Sequence, residues 1–282
     1  MIATRIKQVF YPVYILPKIF LFKKQKLKRL FQFYKQKALL LTSLSFRSAG
    51  LKVFSNMEED GIILCLIASL NIEKGTFIDI GSNDCINSNC ANLVFNFDWE
   101  GIFVDADRQL LKIGERNYKL FGKTQRLNLK FIQRRLTPEN INAVIDEHRG
   151  KNEIDFMSID IDGNDYYIWQ ALTCVKPKIV MIENKIEYGW YDIAVPADSS
   201  HFKPHEWGAS PLALTKLATE KGYTLVAANK KGFNIFFLRN DLMRENIPAL
   251  KLKDLLNDPE IKKDFYDSNY MEQLIKKLEV VK

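Results

Sequence analysis

No Asp or Glu occurs in residues 1–57, where twelve Lys or Arg are found. Without those twelve, the 41 basic residues of the chain fall to 29 against 34 acidic ones, so residues 58–282 carry −5 although the whole chain carries +7. The basicity belongs to the N-terminal arm and implies no polyanion partner for the remainder. Cysteine is scarce as well. Cys65, Cys85, Cys90 and Cys174 form no CxxC pair and no Cys/His set at zinc spacing, which excludes a disulfide framework and suits a reducing cytosol. Long apolar runs are also missing: Tyr11 to Phe22 is about half the roughly twenty residues of a spanning helix, and Pro12, Pro17 and Lys18 interrupt it. It leads into Lys23-Lys24-Gln25-Lys26 rather than a small-residue cleavage site, so neither a span nor a secretory signal is expected. Internal repeats and low-complexity tracts are absent.

What is present divides the chain into an arm over 1–49, a central domain over 50–240 and a helical extension over 241–282. Residues 18–41 mix bulky apolar and basic side chains, the composition of a basic amphipathic helix. Two readings stand for the arm: adsorption to an anionic membrane surface from the cytoplasmic side, or packing on the domain or on a second subunit of a homo-oligomer. No nucleic-acid module follows it, so nucleic acid is not an expected partner.

After Gly50, short apolar runs alternate with helical stretches, the signature of βα units on a largely parallel sheet. The pattern predicts a helix over 57–70, then strands near 76–80, 101–105, 128–133, 154–160 and 178–183. Helices fill the gaps near 88–97, 107–118, 138–147 and 165–173. A helix near 210–221 precedes strands 223–229 and 233–238, joined by Lys230-Lys231-Gly232 as in an antiparallel hairpin. The expectation is a Rossmann-like α/β fold: seven strands, mostly parallel, with helices on both faces and a C-terminal antiparallel hairpin. One or two amphipathic helices are expected in 250–282.

The run Thr76-Phe77-Ile78-Asp79-Ile80 passes directly into Gly81-Ser82-Asn83, and open α/β sheets bind ligands at such strand ends. Gly81 lets the backbone approach a ligand, while Asp79 either accepts from an amino group or orders the turn. A pyrophosphate-binding loop needs further glycines, and residues 82–86 contain none. That absence favours an adenosine-type cofactor without a pyrophosphate, such as S-adenosylmethionine, over NAD. Asp105, followed by Ala106, ends the second strand 24 positions after Gly81, where a carboxylate can accept both ribose hydroxyls. Asp107 is the expected N-cap of the next helix.

Ser158-Ile159-Asp160-Ile161-Asp162-Gly163-Asn164-Asp165 is the densest acidic stretch. Strand alternation would set Asp160 and Asp162 on one side, with Asp162 the best single base for a hydroxyl acceptor and Asp165 a helix cap. Glu183 and Asn184 end the next strand, so Asp162, Glu183 and Asn184 form a candidate Mg²⁺ set, the alternative being loop scaffolding. Residues 185–209 hold Tyr188, Trp190, Tyr191, His201, His205 and Trp207, a long aromatic connection read as an acceptor-binding lid. Its two histidines are candidate general bases or structural hydrogen-bonding groups.

These stretches, together with Gly208-Ala209-Ser210 and Gly232-Phe233-Asn234-Ile235-Phe236-Phe237, resemble the FkbM-like group of class I S-adenosylmethionine-dependent methyltransferases over about 75–240. Asp-Ile-Asp-Gly-Asn-Asp-Tyr is the most specific of them. The resemblance implies O-methylation, often of sugars, with Asp79, Gly81 and Asn83 lining the cofactor, Asp105 on the ribose, and Asp160 and Asp162 at the reaction centre. The group commonly carries Glu where this chain has Asp105 and Asp162. The expected acceptor is a small molecule or a glycan precursor. The alternatives are an NAD-dependent sugar oxidoreductase or epimerase and a non-catalytic membrane-associated module.

Overall fold

The computed structural model describes residues 24–42, 44–151, 153–197 and 200–281. Residues 1–23 of the basic arm lie outside the described residues. In chain order the strands are β1 (Thr76–Ile80), β2 (Glu100–Asp105), β3 (Leu129–Gln133), β4 (Phe156–Ile159), β5 (Ile179–Glu183), β6 (Ala194–Val195), β7 (Gly208–Ala209), β8 (Tyr223–Ala228) and β9 (Asn234–Arg239). Seven of them form one sheet in the order β3-β2-β1-β4-β5-β9-β8, and β6 pairs with β7 apart from it. The first five run parallel, while β9 is antiparallel to both β5 and β8.

This is the Rossmann-like sheet expected from the alternating pattern. Both faces are covered, so the strands are near-continuous apolar runs instead of alternating ones. Phe77, Phe103 and Phe156 point into one core and Ile78, Ile102 and Met157 into the other.

Among the described residues the α-helices are α1 (Lys24–Leu39), α2 (Glu59–Ser69), α3 (Ala91–Phe97), α4 (Arg108–Leu120), α5 (Ile141–Arg149), α6 (Asp165–Ala171), α7 (Pro211–Lys221), α8 (Leu252–Leu256), α9 (Pro259–Lys262) and α10 (Ser268–Val281). The extension thus carries three helices, not one or two. All residues of α2 are buried, in line with its lack of a polar face. Its two N-terminal acids take hydrogen bonds: Glu59 accepts from Asn229 and Asn234, and Asp60 Oδ2 accepts from the backbone N–H groups of Val53, Phe54 and Ser55, while Asp60 Oδ1 is buried without a partner.

α1 packs beside α2 through Leu27, Phe31 and Ala38, which belong to the same core as Phe54 and Phe77. Residues 24–49 therefore share the core of 50–240, with no packing boundary at 49. Ion pairs at its two ends add to this. Lys24 reaches Asp98 at 2.9 Å and Lys35 reaches Glu73 at 2.8 Å.

Asp98 also accepts from Lys123 at 2.8 Å. Burial pushes its carboxyl up, but the two ammonium groups outweigh burial and hold it at about 2. A depressed carboxylate contributes stability above its ordinary value and loses it as pH falls through the folded one. Asp98→Asn is expected to cost up to roughly 1 kcal/mol at neutral pH, because the pair is partly exposed. It should also flatten the fall in Tm between pH 3.8 and about 2. A thermal-melt series across that window checks both effects, and an unchanged acid profile would refute them.

Candidate active site

The chain leaves β1 through Gly81, whose φ of +80° favours glycine. Gly81 and Ser82 both donate backbone N–H groups to the Val104 carbonyl, which carries the turn across the end of β2. The glycine meets a second constraint: a Cβ there would lie 1.7 Å from the Asp160 carbonyl oxygen. Its absence lets the turns after β1 and β4 touch.

Asn83, also left-handed at φ 52°, donates its N–H to Asp105 Oδ2 at 2.7 Å. Asp105 Oδ1 accepts from Asp107 N at 2.8 Å. Each oxygen keeps a lone pair for a further donor. Asp107 caps α4, accepting from Gln109 N and Leu110 N.

Next to these turns lies a cleft of about 430 Å³ lined by Gly81, Asn83, Asp105, Ala106, Asp160 and Asp162 among others, a size suited to a nucleoside ligand. Asp79 and Ser82 do not line it. Asp79 is buried and takes a hydrogen bond from the Ser88 hydroxyl, the turn-ordering role rather than a ligand contact. Burial pushes its carboxyl up to about 6 against the pull of that hydroxyl. Ser82 is buried and faces Cys85.

The loop after Asn83 is closed on itself. Asp84 accepts from the N–H groups of Ile86 and Asn87 at 2.9 and 2.8 Å and from the Asn87 amide at 2.8 Å. A buried carboxylate thus takes backbone donors of the kind a pyrophosphate would need.

β4 ends at Ile159, so Asp160 and Asp162 are not brought together by strand alternation as the sequence pattern suggests. A turn does so instead. Asp162 has φ 56°, and Asp165 stitches the turn by accepting from Ile161 N and Gly163 N, both at 2.9 Å. Asp165 thereby orders the loop and does not cap α6, which has no side-chain cap.

Asp160, Asp162 and Glu183 offer one carboxylate oxygen each, all within 4.8 Å of one another. Burial first, then the neighbouring Asp165, Asp162 and Asp79 charges, pushes Asp160 up. Burial and the Asp160 charge do the same to Glu183. Asn184, expected in the metal set, is turned toward the hairpin. Its amide donates to the carbonyls of Gly232 and Phe233 at 2.6 and 2.7 Å, while Oδ1 is buried without a partner. Asp160 occupies the place the sequence reading assigned to Asn184.

A second cavity of about 180 Å³ shares Asp162 and Trp207 with the first and adds Glu183, Lys185 and Glu187. Trp207 Nε1 is buried without a partner. Of the lid aromatics, Trp207 is the one that lines both cavities; Tyr188 is fully buried in a satellite core and Trp190 is 47% exposed. Neither histidine lines either cavity. His205 Nε2 lies 3.2 Å from the Tyr270 hydroxyl, on the side of α10, and His201 is exposed.

The tail, which carries no chemical motif, holds the lid in place. Met271, Leu274 and Leu278 of α10 pack on Tyr188, Val195 and Phe202. Glu206, beside Trp207, accepts from Tyr270 and Lys277, both at 3.1 Å, and from Lys203 N at 2.6 Å. The amphipathic period of 268–281 is visible in the sequence, but its packing partner is not.

No family model and no curated protein sequence matches the chain. Solved structures similar to it include the O-methyltransferase from Bacillus cereus in complex with SAH, at 14% identity and TM-score 0.45, covering 81% of this chain and 95% of that one. M. capricolum TrmK in complex with S-adenosyl-homocysteine is 16% identical with TM-score 0.36, covering 75% and 84%. A SAM-dependent methyltransferase from Aquifex aeolicus is 11% identical with TM-score 0.37, covering 72% and 96%.

Gly81→Ala is expected to destabilise the protein by about 1–3 kcal/mol through overpacking and left-handed strain. Urea unfolding checks the loss, and wild-type stability would show that the two turns separate freely. Leu274→Ala, at a 2% exposed side chain, is expected to cost about 2–5 kcal/mol locally. Limited proteolysis should then cut faster within 189–207 than within the sheet, whereas equal protection would show that α10 does not hold the lid.

Proposed function

We propose that the chain is an S-adenosylmethionine-dependent methyltransferase acting on a hydroxyl of a sugar or glycan-like acceptor. The observation that carries the cofactor choice is the Asp84 turn, whose carboxylate occupies the Ile86 and Asn87 donors and repels a pyrophosphate. NAD is disfavoured on the same ground. Asp105 would accept the ribose hydroxyls, and Gly81 and Asn83, which line the same cleft, would form the wall against an adenosine.

The second cavity supports an acceptor site one wall away. Trp207 offers an apolar face and an unpaired N–H, and Glu187 Oε2 is likewise buried without a partner, a mixture that suits a polyol. Asp162, shared by both cavities, aligns the hydroxyl and accepts its proton. Asp160, Asp162 and Glu183 are an oxygen-only donor set suited to Mg²⁺, and their mutual repulsion is what a cation would relieve. When bound, the cofactor supplies an electrophilic methyl group and the cation supplies positive charge beside the incoming oxygen. The likeness of Asp160 to Tyr166 to the FkbM-like group supports a hydroxyl acceptor.

Calorimetry with S-adenosylhomocysteine and with NAD tests this reading. S-adenosylhomocysteine is expected to bind, with Asp105→Ala weakening it at least about tenfold by loss of charge-assisted hydrogen bonds. Asp162→Asn should bind the cofactor normally yet lose methyl transfer to glycan acceptors. Preferential NAD binding would overturn the proposal.

A further inference from the structure

We propose that the outward face of α1, with the turn that ends it, is a docking surface for an anionic lipid bilayer. The apolar stripe of α1 formed by Leu27, Phe31 and Ala38 is spent on the protein's own core. The opposite face carries Lys26, Arg29, Phe33, Lys37 and Leu40 at spacings of three and four residues, so they form one stripe. Lys37 Nζ lies 4.9 Å from the centroid of the Phe33 ring.

Apolar side chains crowd the end of this stripe. Phe33 is 48% exposed, and the consecutive Leu39, Leu40 and Leu41 are 70%, 78% and 66% exposed. Leu41 sits at φ 52°, in a turn closed by Leu41 N to Ala38 O and Thr42 N to Lys37 O at 3.1 and 3.0 Å. Glycine would close such a turn at less cost. A leucine there keeps the strain and exposes apolar surface to water, and that surface is what an acyl layer would bury.

Charge decides which partner fits. Residues 1–57 contain no acid, and the acids that reach α1 from elsewhere, Asp98 and Glu73, pair with Lys24 and Lys35 on its flank. Basic residues around an apolar knuckle match a bilayer with anionic headgroups. A nucleic acid would use the cations but gain nothing from three leucines. Glu73 and Asp98 precede β1 and β2, so α1 is tied to the N-terminal end of these parallel strands, opposite the end that carries the carboxylates. A bilayer beneath α1 leaves the cleft open to water.

Co-sedimentation of the full chain with vesicles of phosphatidylcholine alone, and of phosphatidylcholine with phosphatidylserine, tests the surface. The wild type is expected to pellet with the anionic vesicles and to be released by high salt. Replacing Leu39, Leu40 and Leu41 by Ser, or combining Lys26→Glu with Arg29→Glu, should lower the partition coefficient at least about tenfold while leaving Tm unchanged. Equal pelleting with both vesicle types, or wild-type pelleting of the leucine variant, would overturn the proposal. So would a leucine variant that changes the oligomeric state in gel filtration, or duplex RNA that competes the protein off the vesicles regardless of the leucines.

Discussion

The close approach of Gly81 to the Asp160 carbonyl is the constraint on which the site depends. Two neighbouring parallel strands end there, and no side chain separates their turns. Because they touch, the loop after β1 forms one wall of the cleft while the turn after β4 is pressed over its mouth. Asp162 can then line both cavities. A methyl group on Gly81 would clash with the Asp160 carbonyl oxygen and force the two turns apart.

That packing gathers acids that repel one another. Burial and mutual charge raise Asp160 and Glu183, an arrangement the surrounding structure must over-determine. It is over-determined in three ways. Asp165 fixes the turn by two backbone hydrogen bonds, β5 anchors Glu183, and Asn184 clips the start of β9 to the end of β5. The outer wall comes from farther away. Trp207 keeps its position because Glu206 is bonded to α10, more than sixty residues along the chain. Lid and tail thus form one small core, against which Trp207 of the cavity wall packs.

The strands and the hairpin were legible because buried parallel strands need unbroken apolar runs and Lys230-Lys231-Gly232 breaks them in one place only. The Asp105 interval was legible because both loops hang from strand ends of known direction. Elsewhere periodicity misled. Alternation seemed to align Asp160 with Asp162, but β4 stops at Ile159 and a left-handed residue makes the alignment. Asp79 and Ser82 belong to the same motif as Gly81 yet are buried, Asp79 because it still lies within β1 and Ser82 because the turn directs it inward. The two histidines share the lid with Trp207, but His205 is turned to the tail, and neither lines the cavities.

By itself the sequence determined the order of the seven strands of the main sheet along the chain, the hairpin and the loop that lacks phosphate-binding glycines, since these follow from local pattern and backbone chemistry; the short β6–β7 pair and the third tail helix it did not. It also determined the acid-free N-terminal arm. Only the tertiary structure decided which acids meet, that α1 spends its apolar stripe on α2, and that the tail clamps the lid. Those outcomes depend on which surfaces face one another across long stretches of chain, and no local period encodes that.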